Sequence, residues 1–258
     1  MMFRDQVVVV SGVGAGLGQA LVSALVREGA RIVLAARSMA TLESVVGSFP
    51  EAQTLCIATD ITLAADCRRL AERTSDHFGR VDALINNAFQ LGPRGELADA
   101  DLNDDWSQAF EVNVKGSVRM VQALLPALTA SQGAVVIVNT IAARCHKPGF
   151  ASYAISKGAL QTATRTLAMD LAPGGVRVNA LIPGYIDGPP LQSAFAAMAE
   201  AEGVRAEDIR RRVADGLPLR YIPTSEDVAE AALFLASRRA RGITGAALDI
   251  NAGEYVPL

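Results

Sequence analysis

Short runs of β-branched and other apolar residues alternate along the chain with longer stretches in which apolar positions recur every three or four residues. The first run, at 7–10, is four consecutive valines, the pattern of a strand covered on both faces. Glycine-rich punctuation follows, then an amphipathic segment over about 17–28 that Gly29 ends. The same alternation predicts strands at 31–35, 55–58, 83–85, 134–139, 177–181 and 247–250. It predicts helices over 40–48, 63–78, 104–128, 152–171, 191–201 and 227–236.

Strands separated by a helix's length of chain require crossover connections, which are right-handed and build parallel sheets. The expected fold is therefore α/β: a single-domain, Rossmann-type, doubly wound parallel sheet of about seven strands with helices on both faces. No linker, composition shift or solenoid-period repeat divides residues 1–258, so one domain is expected.

Composition removes several function classes. With 50% hydrophobic and only 5% aromatic residues, the chain suits helices packed on a sheet better than a β-sandwich. A net charge of −3 gives no basic face for a polyanion, so nucleic acid is not an expected partner. The densest basic cluster, Arg210, Arg211 and Arg212, is flanked by Glu207, Asp208 and Asp215 and reads as a solvated helix face. Three scattered cysteines and two histidines form no metal pattern or disulfide framework; no metal is expected, and a reducing compartment fits. The N-terminal apolar run is too short for a leader or a membrane span, so a cytoplasmic protein with no membrane association is expected.

Directly after the first strand comes Ser11-Gly12-Val13-Gly14-Ala15-Gly16-Leu17-Gly18. A turn there must let a pyrophosphate approach backbone, with the next helix aiming its unpaired N–H groups at the charge. Glycine removes the Cβ that would block such an approach. Which dinucleotide is bound depends on the end of the second strand, where an acid suits NAD and an arginine suits NADP. The stretch Leu34-Ala35-Ala36-Arg37-Ser38 has no acid, and Arg37 can pair with a 2′-phosphate. NADP(H) is the preferred expectation, with NAD(H) open.

Tyr153 and Lys157 lie four apart at the start of a predicted helix and share one face. With four tyrosines and three lysines, such a pair should arise by chance about 0.05 times in this chain. Carbonyl reduction needs a proton donor beside the developing alkoxide, and a phenol near its ordinary pKa is too weak. A cation about 4 Å away is worth at most about 4 kcal/mol, lowering the phenol by up to about three pH units. Lys157 is therefore expected to make Tyr153 a usable acid or base.

Gly12-x-x-x-Gly16-x-Gly18, Asn86-Asn87-Ala88, Asn113, Tyr153-x-x-x-Lys157 and Pro183-Gly184 occur in one order over about residues 5–253. In this the chain resembles the compact branch of the short-chain dehydrogenase/reductase family. The resemblance implies that Tyr153 is the catalytic acid/base and that Lys157 also holds the nicotinamide ribose. Asn113 would position a proton-relay water through a local helix distortion. Thr140, thirteen residues before the tyrosine, would orient the substrate where serine is usual. It implies dinucleotide contacts from Gly12, Gly16, Leu17, Gly18, Arg37, Ser38, Asp60, Ile61, Asn87, Ala88, Pro183, Gly184 and Ile186, with Tyr153 and Lys157. Asp60 would contact adenine; a plain strand-end cap is the competing reading.

Three departures stand out: Phe89 where glycine usually follows the Asn-Asn-Ala motif, Gly188 where a threonine often contacts the carboxamide, and Ala15 where many NADP-preferring relatives carry a basic residue. A loop and helix at about 184–215 would cover the substrate. Phe89, Cys145, Phe150, Tyr185, Leu191 and Phe195 would line a largely apolar pocket for a hydrophobic or alicyclic ketone or secondary alcohol. His146 is expected to be a loop residue. A homo-oligomer, tetramer or dimer, is implied. The alternative is a non-catalytic dinucleotide-binding sensor or scaffold; sugar-nucleotide epimerisation would need a larger substrate domain.

Overall fold

A computed structural model describes residues 1–100 and 104–256. Seven strands, β1 (Val7–Ser11), β2 (Arg31–Ala36), β3 (Thr54–Ala58), β4 (Ala83–Asn86), β5 (Ala134–Val138), β6 (Arg177–Pro183) and β7 (Ala247–Ile250), form one sheet. Their order is β3-β2-β1-β4-β5-β6-β7, and each neighbouring pair is parallel. The helices are α1 (Leu17–Arg27), α2 (Met39–Val46), α3 (Ala64–Phe78), α4 (Asp104–Phe110), α5 (Ser117–Ser131), α6 (Ala151–Leu171), α7 (Pro189–Glu202), α8 (Ala206–Asp215) and α9 (Ser225–Ala236). This is the expected doubly wound architecture.

The valine run explains itself. Successive side chains of a strand point to opposite faces. Val8 and Val10 enter one core with Leu21 and Leu25 of α1 and Val228 and Leu233 of α9. Val7 and Val9 enter the other, with Leu70 of α3, Leu124 of α5 and Leu160 of α6. Both faces being covered, no polar alternation could appear in the sequence. A third, smaller cluster joins α7 and α8 through Phe195, Ala199 and Ile209.

Two expectations change. The helix predicted over 104–128 is broken: α4 passes into a π-helical turn at Glu111–Gly116 before α5 begins. Such bulges re-aim a side chain, and here Asn113 is turned fully inward. Helix α8 was not expected from apolar periodicity, because it buries only Ile209 fully and is otherwise charged. It packs Ile209, with partly buried Val213 and Ala214, on the α7 cluster, and ion pairs add to this, with Arg212 to Glu202 at 2.7 Å and Arg210 to Asp187 at 2.6 Å. The arginine cluster is thus partly a tether between α8 and its neighbours rather than only a solvated face. Among the described residues no helix is long and apolar enough to cross a membrane.

Candidate active site

At the carboxyl ends of β1 and β4 the chain backbones almost touch. A Cβ on Gly12 would stand 2.4 Å from both Cα and N of Ala88, and the residue has φ +74°. Only glycine fits on both counts. The Asn87 side-chain amide donates to the Gly12 carbonyl (2.8 Å), and the Gly12 N–H donates to Ala35 O (2.8 Å). Gly18 serves packing, since a Cβ there would lie 2.8 Å from Gly12 O. Gly16 (φ 88°) is the N-cap of α1 and supplies no side-chain cap; Gln19 N donates to Gly14 O (2.9 Å), which leaves the N–H groups of Leu17 and Gly18 for an anion.

Beside this turn lies a cleft of about 510 Å³. Its walls include the expected Gly12, Arg37, Asp60, Ile61, Asn87, Ala88 and Phe89, together with Thr59, Thr62, Gln90 and Gln108. Arg37 is exposed at the end of β2 and, among the described residues, forms no ion pair. Ser38 caps α2, accepting from Thr41 N at 3.3 Å. Asp60 is both a cap and a cleft residue. One carboxylate oxygen accepts from Thr62 N (2.9 Å) and Thr62 Oγ1 (2.7 Å), while the residue still borders the cleft. A backbone cradle that any Cβ would fill, a helix N-terminus and a solvent-facing cation suit the pyrophosphate and 2′-phosphate of a dinucleotide.

The chemical groups gather where β5 meets α6. Thr140 caps the short turn Ile141–Ala143, its Oγ1 accepting from Ala142 N at 3.2 Å. The Tyr153 hydroxyl lies beside the Thr140 side chain, near enough to feel its hydroxyl. Lys157, one turn on, is 2% exposed; its ammonium donates to Val138 O at 2.8 Å and stands 5.8 Å from the Tyr153 ring centroid. Asn113 is fully buried. Its amide donates to Gln90 O (2.8 Å) and Ser156 Oγ (2.9 Å), and its carbonyl accepts from Gln90 N (2.8 Å). The structure therefore brings Asn113, Thr140, Tyr153 and Lys157 onto one small region from three separate segments: the π turn, the end of β5 and α6.

The expected electrostatics of the pair are corrected. Burial pushes the Tyr153 phenol up to about 12, with the neighbouring Thr140 hydroxyl pulling weakly the other way. Burial draws Lys157 down to about 7 from 10.5. The cation was expected to lower the phenol, but desolvation acts on both groups and depletes the ammonium near neutrality.

Pro183, the last residue of β6, and Gly184 lead into a loop that crosses the glycine turn. A Cβ on Gly184 would come 2.6 Å from a Glu254 oxygen, and one on Gly188 would meet Ser225 Oγ at 3.3 Å and Gly16 Cα at 3.9 Å. Ile186 packs against the α1/α9 core. Asp187 is held by Arg210 and by Pro223 O, to which its N–H donates at 2.8 Å. Phe89 is 53% exposed, its ring 6.1 Å from that of Tyr153. Phe150 precedes α6 under the Arg94 guanidinium (4.3 Å). Cys145 packs with Ile141 and Ile182. Tyr185 and Leu191 lie partly buried on the α7/α8 cluster, of which Phe195, 3% exposed, is a core member. The Phe195 ring is thus enclosed by that lobe's own packing, not presented to an open pocket as expected.

Gln90, Ser156 and Asn139 were missed. Asn139 donates to Lys157 O and Gln161 Oε1, both at 3.1 Å, and accepts from Thr140 N at 3.0 Å. An asparagine at the end of an otherwise apolar strand was the available signal.

A family model described as enoyl-(acyl carrier protein) reductase matches residues 12–254. The putative ketoacyl reductase 2 of the granaticin polyketide synthase of Streptomyces violaceoruber is 36% identical, covering 97% of this chain and 96% of its own. The 2-(S)-hydroxypropyl-CoM dehydrogenase 3 of Xanthobacter autotrophicus is 33% identical over 97% of this chain and 96% of its own. Among solved structures, L-sorbose reductase from Gluconobacter frateurii, complexed with NADPH and L-sorbose, superposes with a TM-score of 0.94 at 28% identity, covering 100% and 99% of the two chains.

Proposed function

The chain belongs to the short-chain dehydrogenase/reductase family, NAD(P)-dependent oxidoreductases of the alcohol–carbonyl couple, and from that premise we propose that it is an NADPH-dependent carbonyl reductase for a ketone with an apolar flank. The observation that carries this is the Thr140–Tyr153 hydroxyl pair, with Lys157 buried one turn further on, beside the glycine-floored cleft.

Gly12, Gly16, Leu17, Gly18, Asn87 and Ala88 would hold the pyrophosphate and ribose portions of the dinucleotide. Asp60 and Ile61 would flank its adenine, Arg37 and Ser38 its 2′-phosphate, and Pro183, Gly184 and Ile186 its nicotinamide. Bound there, it supplies the hydride. Thr140 orients the carbonyl oxygen, and Tyr153, a phenol held protonated by burial, delivers the proton. Lys157 anchors its own helix to Val138 and, when charged, stabilises negative charge developing on the phenolate. Asn113, pinned through both of its polar atoms, holds the π turn against Gln90 and Ser156 and leaves a distorted backbone at which a relay water can sit.

NADPH preference is supported by exposed Arg37 without an acid at 36–38, and by the NADPH in the sorbose reductase neighbour. The apolar flank is supported by Phe89 beside Tyr153. The loop and helices over about 184–215 would close over it, with Phe89, Phe150, Tyr185 and Leu191 nearest the substrate. Exposed Ile155 and Met169 on α6 support a homo-oligomer, and three free cysteines support a reducing, cytoplasmic setting.

The test follows nicotinamide absorbance over a ketone panel with NADPH and NADH for wild type, Tyr153→Phe and Arg37→Glu. Wild type should prefer NADPH by roughly 10–100-fold, the worth of one charge-assisted hydrogen-bonded pair, and Arg37→Glu should invert that preference. Tyr153→Phe should lose about 10²–10⁴-fold in kcat while binding dinucleotide as before. Tight binding without turnover on any ketone, or on any alcohol in reverse, would refute the reductase reading.

A further inference from the structure

The loop from Thr140 to the start of α6 must hold two neighbouring hydroxyls, Thr140 and Tyr153, in register, yet residues 144–150 form no regular element. What holds it comes from the far end of the chain. Arg144 donates to both oxygens of Asp249 on β7, each at 2.7 Å, and its guanidinium lies 5.7 Å from the Tyr255 ring centroid. Lys147 pairs with Glu254, and its ammonium also lies 5.0 Å from the Tyr185 ring centroid. Asn251 folds the segment back by accepting from Gly253 N (3.0 Å) and donating to Tyr255 O (3.1 Å).

The Lys147–Glu254 pair is an expensive way to make this connection. Both side chains are largely withdrawn from water, at 25% and 15% exposure, and the second Glu254 oxygen is buried without a hydrogen-bond partner. Apolar residues of similar volume would hold two segments together at no desolvation cost. What an ion pair adds is direction: it fixes where one atom of the loop stands relative to one atom of the tail.

We propose that Lys147 and Glu254 are positioning residues through which the segment after β7 sets the alignment of Thr140 with Tyr153. This rests on the reductase reading for its kinetic arm alone. Neither residue touches the reacting atoms; both act through the loop that spans them.

The experiment compares wild type with Lys147→Met, Glu254→Gln and the double variant Lys147→Met/Glu254→Leu, which replaces the pair by apolar contact. The readouts are kcat and KM on an accepted ketone, dinucleotide affinity, and amide hydrogen exchange over 141–150. Each single variant should lower kcat by about tenfold or more, as displaced reacting groups do. Dinucleotide affinity should stay within twofold, and exchange over 141–150 should accelerate while that of 7–11 does not. The double variant should lose no more than the worse single one. Kcat within twofold of wild type in both singles, losses that multiply in the double, or unchanged exchange over 141–150 would each overturn the proposal. Should wild type turn over no ketone, the exchange measurement decides alone. Glu254→Gln, nearly isosteric, keeps the test meaningful if Lys147→Met fails to fold.

Discussion

Replacing Lys157 by Met removes a charge that the fold holds out of water, and the consequence for stability depends on pH in a way that can be worked out. Burial draws the folded-state pKa to about 7, against 10.5 in water. Between those values the unfolded chain carries a proton that the folded chain lacks, so the wild type gains stability as pH rises through the window. At about 1.4 kcal/mol per pH unit of difference, the gain between pH 6 and pH 10 is about 4 kcal/mol once partial protonation at both ends is counted. The methionine variant has no such term. It also forfeits the hydrogen bond to Val138 O, a pH-independent loss of about 1 kcal/mol. The raised phenol of Tyr153 is common to both proteins and cancels in the difference. Lys157→Met should therefore be more stable than wild type at pH 6, with the advantage shrinking by about 4 kcal/mol at pH 10, while catalysis is lost. Urea unfolding of both proteins across pH 6–10, without dinucleotide, measures it. A stability difference that is flat across that range, or that grows with pH, refutes the reasoning.

Gly12→Ala should cost about 2–5 kcal/mol, combining left-handed backbone strain with an overlap that Ala88 cannot relieve by rotating a side chain. Thermal unfolding should register it as a lower Tm, and a fluorescence titration should show lost dinucleotide affinity. Asn113→Ala strands Gln90 N and Gln90 O and removes the bond that Ser156 Oγ accepts, leaving only its donation to Tyr153 O, so urea unfolding should report a loss of about 3 kcal/mol, with less than about 1 kcal/mol refuting the assigned bonds.

The fold was largely legible because the inner strands are buried on both faces and each long helix has one apolar face. The valine run and the 17–28 periodicity are direct images of that geometry. The π turn was not legible from periodicity, since one extra residue in a helical turn barely disturbs apolar spacing over so long a segment; only the family resemblance suggested a distortion at Asn113. Helix α8 escaped because its apolar face is short, Ile209 with partly buried Val213 and Ala214, and charge pairs supply much of the rest of its attachment. At the site, residue identities and their juxtaposition were legible, but the titration behaviour was not. Spacing shows that Tyr153 and Lys157 share a face; it does not show that the lysine is enclosed so completely that its own charge is at risk. Phe195 illustrates the same limit, because apolar spacing on α7 cannot distinguish a ring facing a ligand from one facing α8.

The contact between Gly12 and Ala88 spans 76 positions of chain; the Asn87–Gly12 hydrogen bond beside it and the Asp82–Val7 bond at the opposite end of β1 and β4 span 75 each. During synthesis the glycine turn emerges early, next to β2 and β3, with nothing yet to close its inner side. Only when β4 arrives does the central strand acquire its second neighbour and the turn its rigid wall. Closing so long a loop is slow and entropically costly. Recognition of a dinucleotide is thus a late property of the growing polypeptide, and a ligand seated against that wall would reward the completed junction by mass action. The wall of the cofactor cleft is thus complete only when the two halves of the sheet, joined at β1 and β4, are both in place.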